Sequence, residues 1–203
     1  ALRAAVATVL GESCYCCDGV QSPPQLGEFL SSARDCVAKV PPSRFDVDAL
    51  DGTDAELYSK HGHFLSDIEL FDNALFGVSR VEAEGMDPHQ RIFLEVGYLA
   101  LAHSGYSKAS LMGSDMGIFL GHCSNDWAAV TAGRKAGALS NLGTDPGAAA
   151  GRVSYLLGLK GPCYVLNTAC SSSLVAVDAA CQNLQLDRCS VALAGGVNLQ
   201  LHH

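Results

Sequence analysis

The chain has 203 residues, 48% of them hydrophobic, enough to build a real core in one large domain or two small ones. Charged residues make up only 17%, and 21 Asp and Glu against 13 Lys and Arg leave a formal net charge of −8. With no clustered basic face to bind phosphates, nucleic acid is excluded as an expected partner, and no stretch approaches the ~18 to 20 uncharged apolar residues of a membrane span.

Residues 1–10 are apolar apart from Arg3 and end at Gly11; too short for a signal peptide and without its basic lead-in, they read as a buried first strand. Over residues 24–40, Leu26, Phe29, Leu30, Ala33, Val37 and Val40 recur at helical spacing until Pro41-Pro42 stops the run. Acidic residues concentrate over 46–72, where Asp48, Asp51, Asp54, Glu56, Asp67 and Glu69 are relieved only by Lys60, the pattern of a solvated loop. Asp87-Pro88 announces a helix that carries Ile92, Phe93, Val96, Leu99 and Ala100 inward until Gly105 closes it. Residues 117–121 are a glycine-bounded apolar run, a buried strand, whereas residues 123–142 carry no clear period. A turn-rich stretch over 143–147 leads into a helix over 148–157. After Gly161-Pro162 come a strand over 163–167, the segment 168–173, a helix to about Leu186 and a last strand over 190–194. Strands alternating with helices predict a layered α/β fold. A compact domain rarely ends on a freshly exposed internal strand, so a further part is expected after His203.

Nine cysteines are an odd count in a chain that is not small. Cys36, Cys123, Cys163, Cys181 and Cys189 lie in apolar runs and read as small buried hydrophobes in an intracellular, reducing compartment, cytoplasm or plastid. Cys14, Cys16 and Cys17 with His61 and His63 lack the spacing of a four-ligand zinc framework, so no metal site is expected. No Gly-x-Gly-x-x-Gly follows any predicted strand, which leaves a nucleotide-binding reading without support.

The chemistry concentrates in residues 165–174, which pass from an apolar strand through small residues straight into a helix. Cys170 therefore sits in a tight strand-to-helix turn, where free N–H groups and the positive end of the helix dipole stabilise a thiolate. A backbone N–H at the same turn can bind the oxyanion formed when a thioester carbonyl is attacked. Local features leave two readings open: an acyl-accepting nucleophile, or one more buried cysteine beside serines that cap a helix.

Residues 167–176, Asn167-Thr168-Ala169-Cys170-Ser171-Ser172-Ser173-Leu174-Val175-Ala176, resemble the active-site signature of ketosynthase (β-ketoacyl synthase) domains of modular polyketide synthases. Phe76-Gly77-Val78-Ser79 and Met86-Asp87-Pro88-His89-Gln90-Arg91 resemble that family's FFGIS and MDPQQR block. Residues 143–162 resemble its GTAPSVAAGRISYFLGLRGP block, and residues 193–198 its LAGGVN strand. The resemblance spans essentially the whole chain in the family's order. It implies a thiolase-like layered α/β/α/β/α fold, of which residues 1–203 are the N-terminal half with the nucleophile elbow. It also implies Cys170 as the nucleophile, with its backbone N–H turned to the oxyanion and Asn167, Thr168, Ala169, Ser171 and Ser172 shaping the site.

The full domain would take an acyl group from the phosphopantetheine of an acyl-carrier protein, decarboxylate malonyl-carrier protein, and join the two by Claisen condensation. The resemblance implies no directly bound cofactor. Residues 161–168, apolar on both faces, are expected to be buried, and the resemblance implies that they pair antiparallel with a second copy across a two-fold axis, within a larger synthase polypeptide. The chain departs from the family at three places. Tyr15, Cys16 and Cys17 replace Arg, Phe and Pro in the turn that begins at Gly11, and Asn167 replaces Asp. The histidines that follow the cysteine in the family, one in His-Gly-Thr-Gly-Thr, are absent; only His202 and His203 follow Cys170. His61, His63, His89, His103 and His122 are read as structural or exposed. The alternative to half of a condensing enzyme is therefore a non-catalytic half domain, a scaffold or subunit of a larger assembly.

Overall fold

A computed structural model describes residues 7–53, 59–133 and 140–202. The elements run α1 (Pro23–Ser31), β1 (Ala38–Lys39), β2 (His61–Gly62), α2 (Asn73–Phe76), α3 (Arg80–Gly85), α4 (Pro88–His103) and α5 (Lys108–Leu111). They continue with β3 (Gly117–Gly121), α6 (Asp126–Val130), α7 (Ser140–Thr144), α8 (Ala148–Leu157), β4 (Cys163–Leu166), α9 (Ser172–Gln185) and β5 (Ala192–Gly196).

The central sheet is wholly parallel in the order β4-β3-β5, with Ile118 opposite Cys163 on one side and Leu193 on the other. Every residue of β3 is buried, because it is the middle strand with helices on both faces. Side chains alternate along it: Ile118 and Leu120 join Leu94, Ala149, Val153 and Leu157 of α4 and α8, while Phe119 joins Ala176 and Ala180 of α9. The result is three layers, α4 and α8 on one face of the sheet and α9 on the other. Asp87 caps α4 by accepting the His89 N–H at 2.8 Å, Pro88 takes the first turn, and Gly105 leaves it at φ +85°. Helix α8 matches its expected bounds and is closed by Gly158 at φ +69°.

Several expectations are corrected. Residues 7–10 form no strand and lie exposed, while residues 1–6 fall outside the described part. Residues 7–16 and β5 both line a cleft of about 850 Å³, and among the described residues β5 pairs only with β3. The helix expected over 24–40 ends at Ser31. There the hydroxyls of Ser31 and Ser32 donate to the carbonyls of Gly27 and Phe29, and Ala33 turns into the left-handed region at φ +48°. Of the rest of that stretch, Ala38–Lys39 form β1, antiparallel to β2. The last strand begins at Ala192 rather than Ser190.

In the acidic loop, Lys39 joins Lys60 in pairing with Asp48, and Lys60 also holds Asp51; Asp54 and Glu56 lie outside the described residues. Of the five cysteines expected to be buried, only Cys189 is; Cys36 and Cys181 are half-buried, Cys123 and Cys163 exposed. Cys163 opens β4, an edge strand of the single chain. For the same reason residues 161–168 are not buried: Cys163 and Tyr164 are exposed, Val165 and Leu166 half-buried. No helix among the described residues is long and apolar enough to cross a membrane.

Candidate active site

From the end of β4 the chain passes through residues 167–171 into α9, with a 3-10 turn over Ala169–Ser171. Ala169 sits at φ +55°, a region that residues other than glycine seldom occupy. The turn's own side chains hold it there. Asn167 Oδ1 accepts the Ala169 N–H at 3.2 Å, and Ser172 Oγ accepts the Thr168 N–H at 2.9 Å. Ser172 Oγ also donates to the Ala169 carbonyl at 2.7 Å, and Ser171 Oγ donates to the Thr168 carbonyl at 2.8 Å. Asn and Asp both supply the oxygen that Ala169 needs, so Asn167 drops a charge at this position without losing the turn.

Ser172 is buried, whereas Asn167, Thr168, Ala169, Cys170 and Ser171 are exposed. Two glycines bring α9 onto the ends of the strands. A Cβ on Gly121 would stand 2.5 Å from both Ser172 C and Ser173 N, and one on Gly196 would stand 2.5 Å from Ser173 Cβ. Cys170 is thus presented outward at the C-terminal end of a parallel sheet, immediately before a helix whose dipole favours negative charge. Its own N–H has no acceptor among the described residues. An accessible sulfur, a free amide beside it and small neighbours can together accept an acyl group and bind the oxyanion that forms on the way.

The histidines divide by burial. His61, His63 and His103 are exposed, His89 and His122 fully buried, and none of these five is hydrogen-bonded to Cys170. His122 directly follows β3, and its N–H donates to the Leu166 carbonyl at 3.1 Å, at the same end of the sheet as the elbow. Burial and the neighbouring His89 push its pKa down to about 4, so its ring is neutral at pH 7.

Asp87, His89 and His122 place potential ligand atoms within 4.8 Å of one another, a cluster the spacing of the sequence does not reveal. Both nitrogens of His89 are already engaged: Nε2 accepts the Leu199 N–H at 2.8 Å, and Nδ1–H donates to Asp87 Oδ1 at 2.7 Å. Asp87 and His122 alone are fewer ligands than the three or four of an ordinary zinc site, and the cluster reads as structural. The rest of the motif is structural too. Gln90 Nε2 donates to the Leu142 carbonyl at 3.0 Å, and Arg91 Nη1 to that of Glu69 at 2.9 Å. Arg152, which sequence reasoning did not single out, reaches Gln90 Oε1 at 2.9 Å and pairs with Glu82.

The profile of the family described as "Beta-ketoacyl synthase, N-terminal domain" matches residues 5–203. The chain is 43% identical over 199 residues to a phenolphthiocerol/phthiocerol polyketide synthase of Mycobacterium bovis, covering 95% of this chain and 11% of that protein. It is 40% identical over 198 residues to polyketide synthase GfsB of Streptomyces halstedii, covering 94% of this chain and 4% of that one. Among solved structures it resembles the ketosynthase from module 6 of the bacillaene synthase of Bacillus subtilis 168, with a TM-score of 0.80 and 36% identity. That match covers 95% of this chain and 31% of the solved one. The chain therefore spans about a tenth or less of these polyketide synthases and about a third of the solved ketosynthase.

Proposed function

Because the chain belongs to the β-ketoacyl synthase family, by its N-terminal domain, we propose that Cys170 is the acyl-accepting nucleophile of a ketosynthase of the polyketide or fatty-acid synthase kind. The observation that carries this is the elbow: a left-handed Ala169 projecting an exposed Cys170 at the start of α9, with an unengaged N–H beside the sulfur.

The Cys170 sulfur, once its proton is lost, attacks the thioester carbonyl of an acyl chain carried on the phosphopantetheine of an acyl-carrier protein. The tetrahedral oxyanion is held by the Cys170 N–H. Its collapse breaks the carbon–sulfur bond to the carrier, whose thiolate leaves and takes up a proton. In the full domain, loss of carbon dioxide from malonyl-carrier protein then leaves an enolate that attacks the acyl-cysteine and frees Cys170. Residues 1–203 supply the first half-reaction. The His-Gly-Thr-Gly-Thr histidine that the family resemblance implies for the second is not in this sequence, and a second half of the domain would bring it. The free edge of β4, with Cys163 and Tyr164 exposed, is where a second copy would pair, within the larger synthase polypeptide.

The test is acyl loading followed by intact mass. With acyl-carrier protein as donor, the chain gains one acyl group, the modified peptide contains Cys170, and Cys170→Ala gains none. Loading that persists in Cys170→Ala would refute the assignment.

A further inference from the structure

Away from the elbow, two cysteines meet across 19 positions of sequence: the sulfurs of Cys17 and Cys36 lie 2.7 Å apart. Three further features converge on them. Residues 16–20 form a tight turn, in which Cys16 N–H donates to the Val20 carbonyl at 2.8 Å and Asp18 and Gly19 both have positive φ. An Asp18–Arg34 ion pair at 2.8 Å ties that turn to the segment carrying Cys36. Both cysteines are half-buried and line one cleft of about 480 Å³ with Arg44 and Leu65, so a small thiol reagent can reach them. Cys17 stands where the family resemblance places proline, so the pair belongs to this chain rather than to the family pattern.

We propose that Cys17 and Cys36 are a redox-active dithiol that closes reversibly to a disulfide by exchange with a low-molecular-weight disulfide such as oxidised glutathione. In the first step the Cys17 sulfur, its proton lost to solvent, attacks one sulfur of the glutathione disulfide. That S–S bond breaks, and the departing glutathione thiolate is protonated. In the second, the Cys36 sulfur gives up its proton and attacks the Cys17 sulfur of the mixed disulfide, releasing the other glutathione. Two protein thiols are oxidised and one disulfide is reduced to two thiols. The order follows from the environment. The adjacent Cys17 pushes the Cys36 thiol up to about 11, so Cys36 holds its proton and is left as the second sulfur to react.

The consequence is mechanical. The bond would close a loop that contains α1, a helix with no buried residue. In the dithiol form, the link between its two ends includes that partly exposed, salt-screened ion pair. The cross-link makes the connection covalent.

The chain would be equilibrated in mixtures of reduced and oxidised glutathione, trapped with N-ethylmaleimide, and mapped by mass spectrometry without reduction. The expected product is an intrachain Cys17–Cys36 peptide that reverts in excess reduced glutathione. Cys17→Ser and Cys36→Ser should each abolish it and leave glutathione on the remaining cysteine. Proteolysis of the wild-type chain within residues 18–35 should slow on the order of tenfold on oxidation, as a closed loop restricts local opening. Cross-linking of a different pair, such as Cys14 with Cys17, or a wild-type reaction that stops at the mixed disulfide, would overturn the proposal. So would equal proteolysis of the oxidised and reduced chains.

Discussion

Replacing Gly121 by alanine tests how the fold places the nucleophile. A Cβ at this position meets Ser172 C and Ser173 N at 2.5 Å and Ser172 O at 2.7 Å, all backbone atoms of the first turn of α9. No flexible side chain can yield, so either β3 or the start of α9 must move. Overpacking of this kind costs about 1 to 3 kcal/mol. Because the displaced residues directly follow the 3-10 turn that carries Cys170, a shift on the order of 1 Å should slow acyl loading by about 100-fold. Gly27→Ala is the control: nothing lies within 4 Å of its Cβ, and it sits inside α1. It should leave loading unchanged and raise stability by up to about 1 kcal/mol. Urea unfolding and the initial rate of acyl transfer to Cys170 are measured on both variants. If Gly121→Ala unfolds at the wild-type midpoint and loads at the wild-type rate, close packing of α9 on Gly121 is not what positions the elbow.

Cys170→Ala should remove acyl loading while changing unfolding free energy by no more than about 0.5 kcal/mol, since the side chain is exposed; a large loss of stability would show that the thiol is structural. Supplied with acyl- and malonyl-carrier protein, the chain alone should yield acyl-enzyme but no β-ketoacyl product. A positioned donor to the developing charge is worth ~100- to 1,000-fold in rate, and any product would require one of His61, His63, His89, His103 or His122 to act as catalyst. His122 should make the fold acid-sensitive. Its pKa falls from the ordinary 6.5 to about 4 in the folded chain, so the unfolded state takes up the proton first as pH drops. The stability it confers is complete above about pH 6.5 and lost as pH falls through about 4, up to about 3 kcal/mol. Urea midpoints from pH 7 to pH 4 check this, and His122→Gln should flatten the dependence; an unchanged slope in that variant would refute it.

Much of the layered fold can be read along the chain because it is written in local signals. Asp87-Pro88 and Gly105 bound α4, glycines bracket the apolar run of β3, and β4 passes through small residues into α9. Caps, breakers and periodicity act within a few residues, so linear order is enough to read them. Residues 24–40 show where that fails: their apolar spacing suits a helix, yet the serine hydroxyls turn the chain at Ser31 and Ala38–Lys39 pair with His61–Gly62. No residue of α1 is buried, so nothing in tertiary packing enforced the longer helix.

The sequence by itself determined the family, the order of the main strands and helices, and the place of Cys170 between a strand and a helix, from which its proposed role follows. Tertiary structure alone decided that His89 and His122 meet beneath the end of the sheet, that Gly121 and Gly196 admit α9 onto it, and that Cys17 faces Cys36. It also decided that of Cys36, Cys123, Cys163, Cys181 and Cys189 only the last is buried. The physical reason is range. Propensity and capping are set by neighbours along the chain, whereas burial and side-chain contacts depend on segments tens of residues away, and those are fixed only when the layers pack.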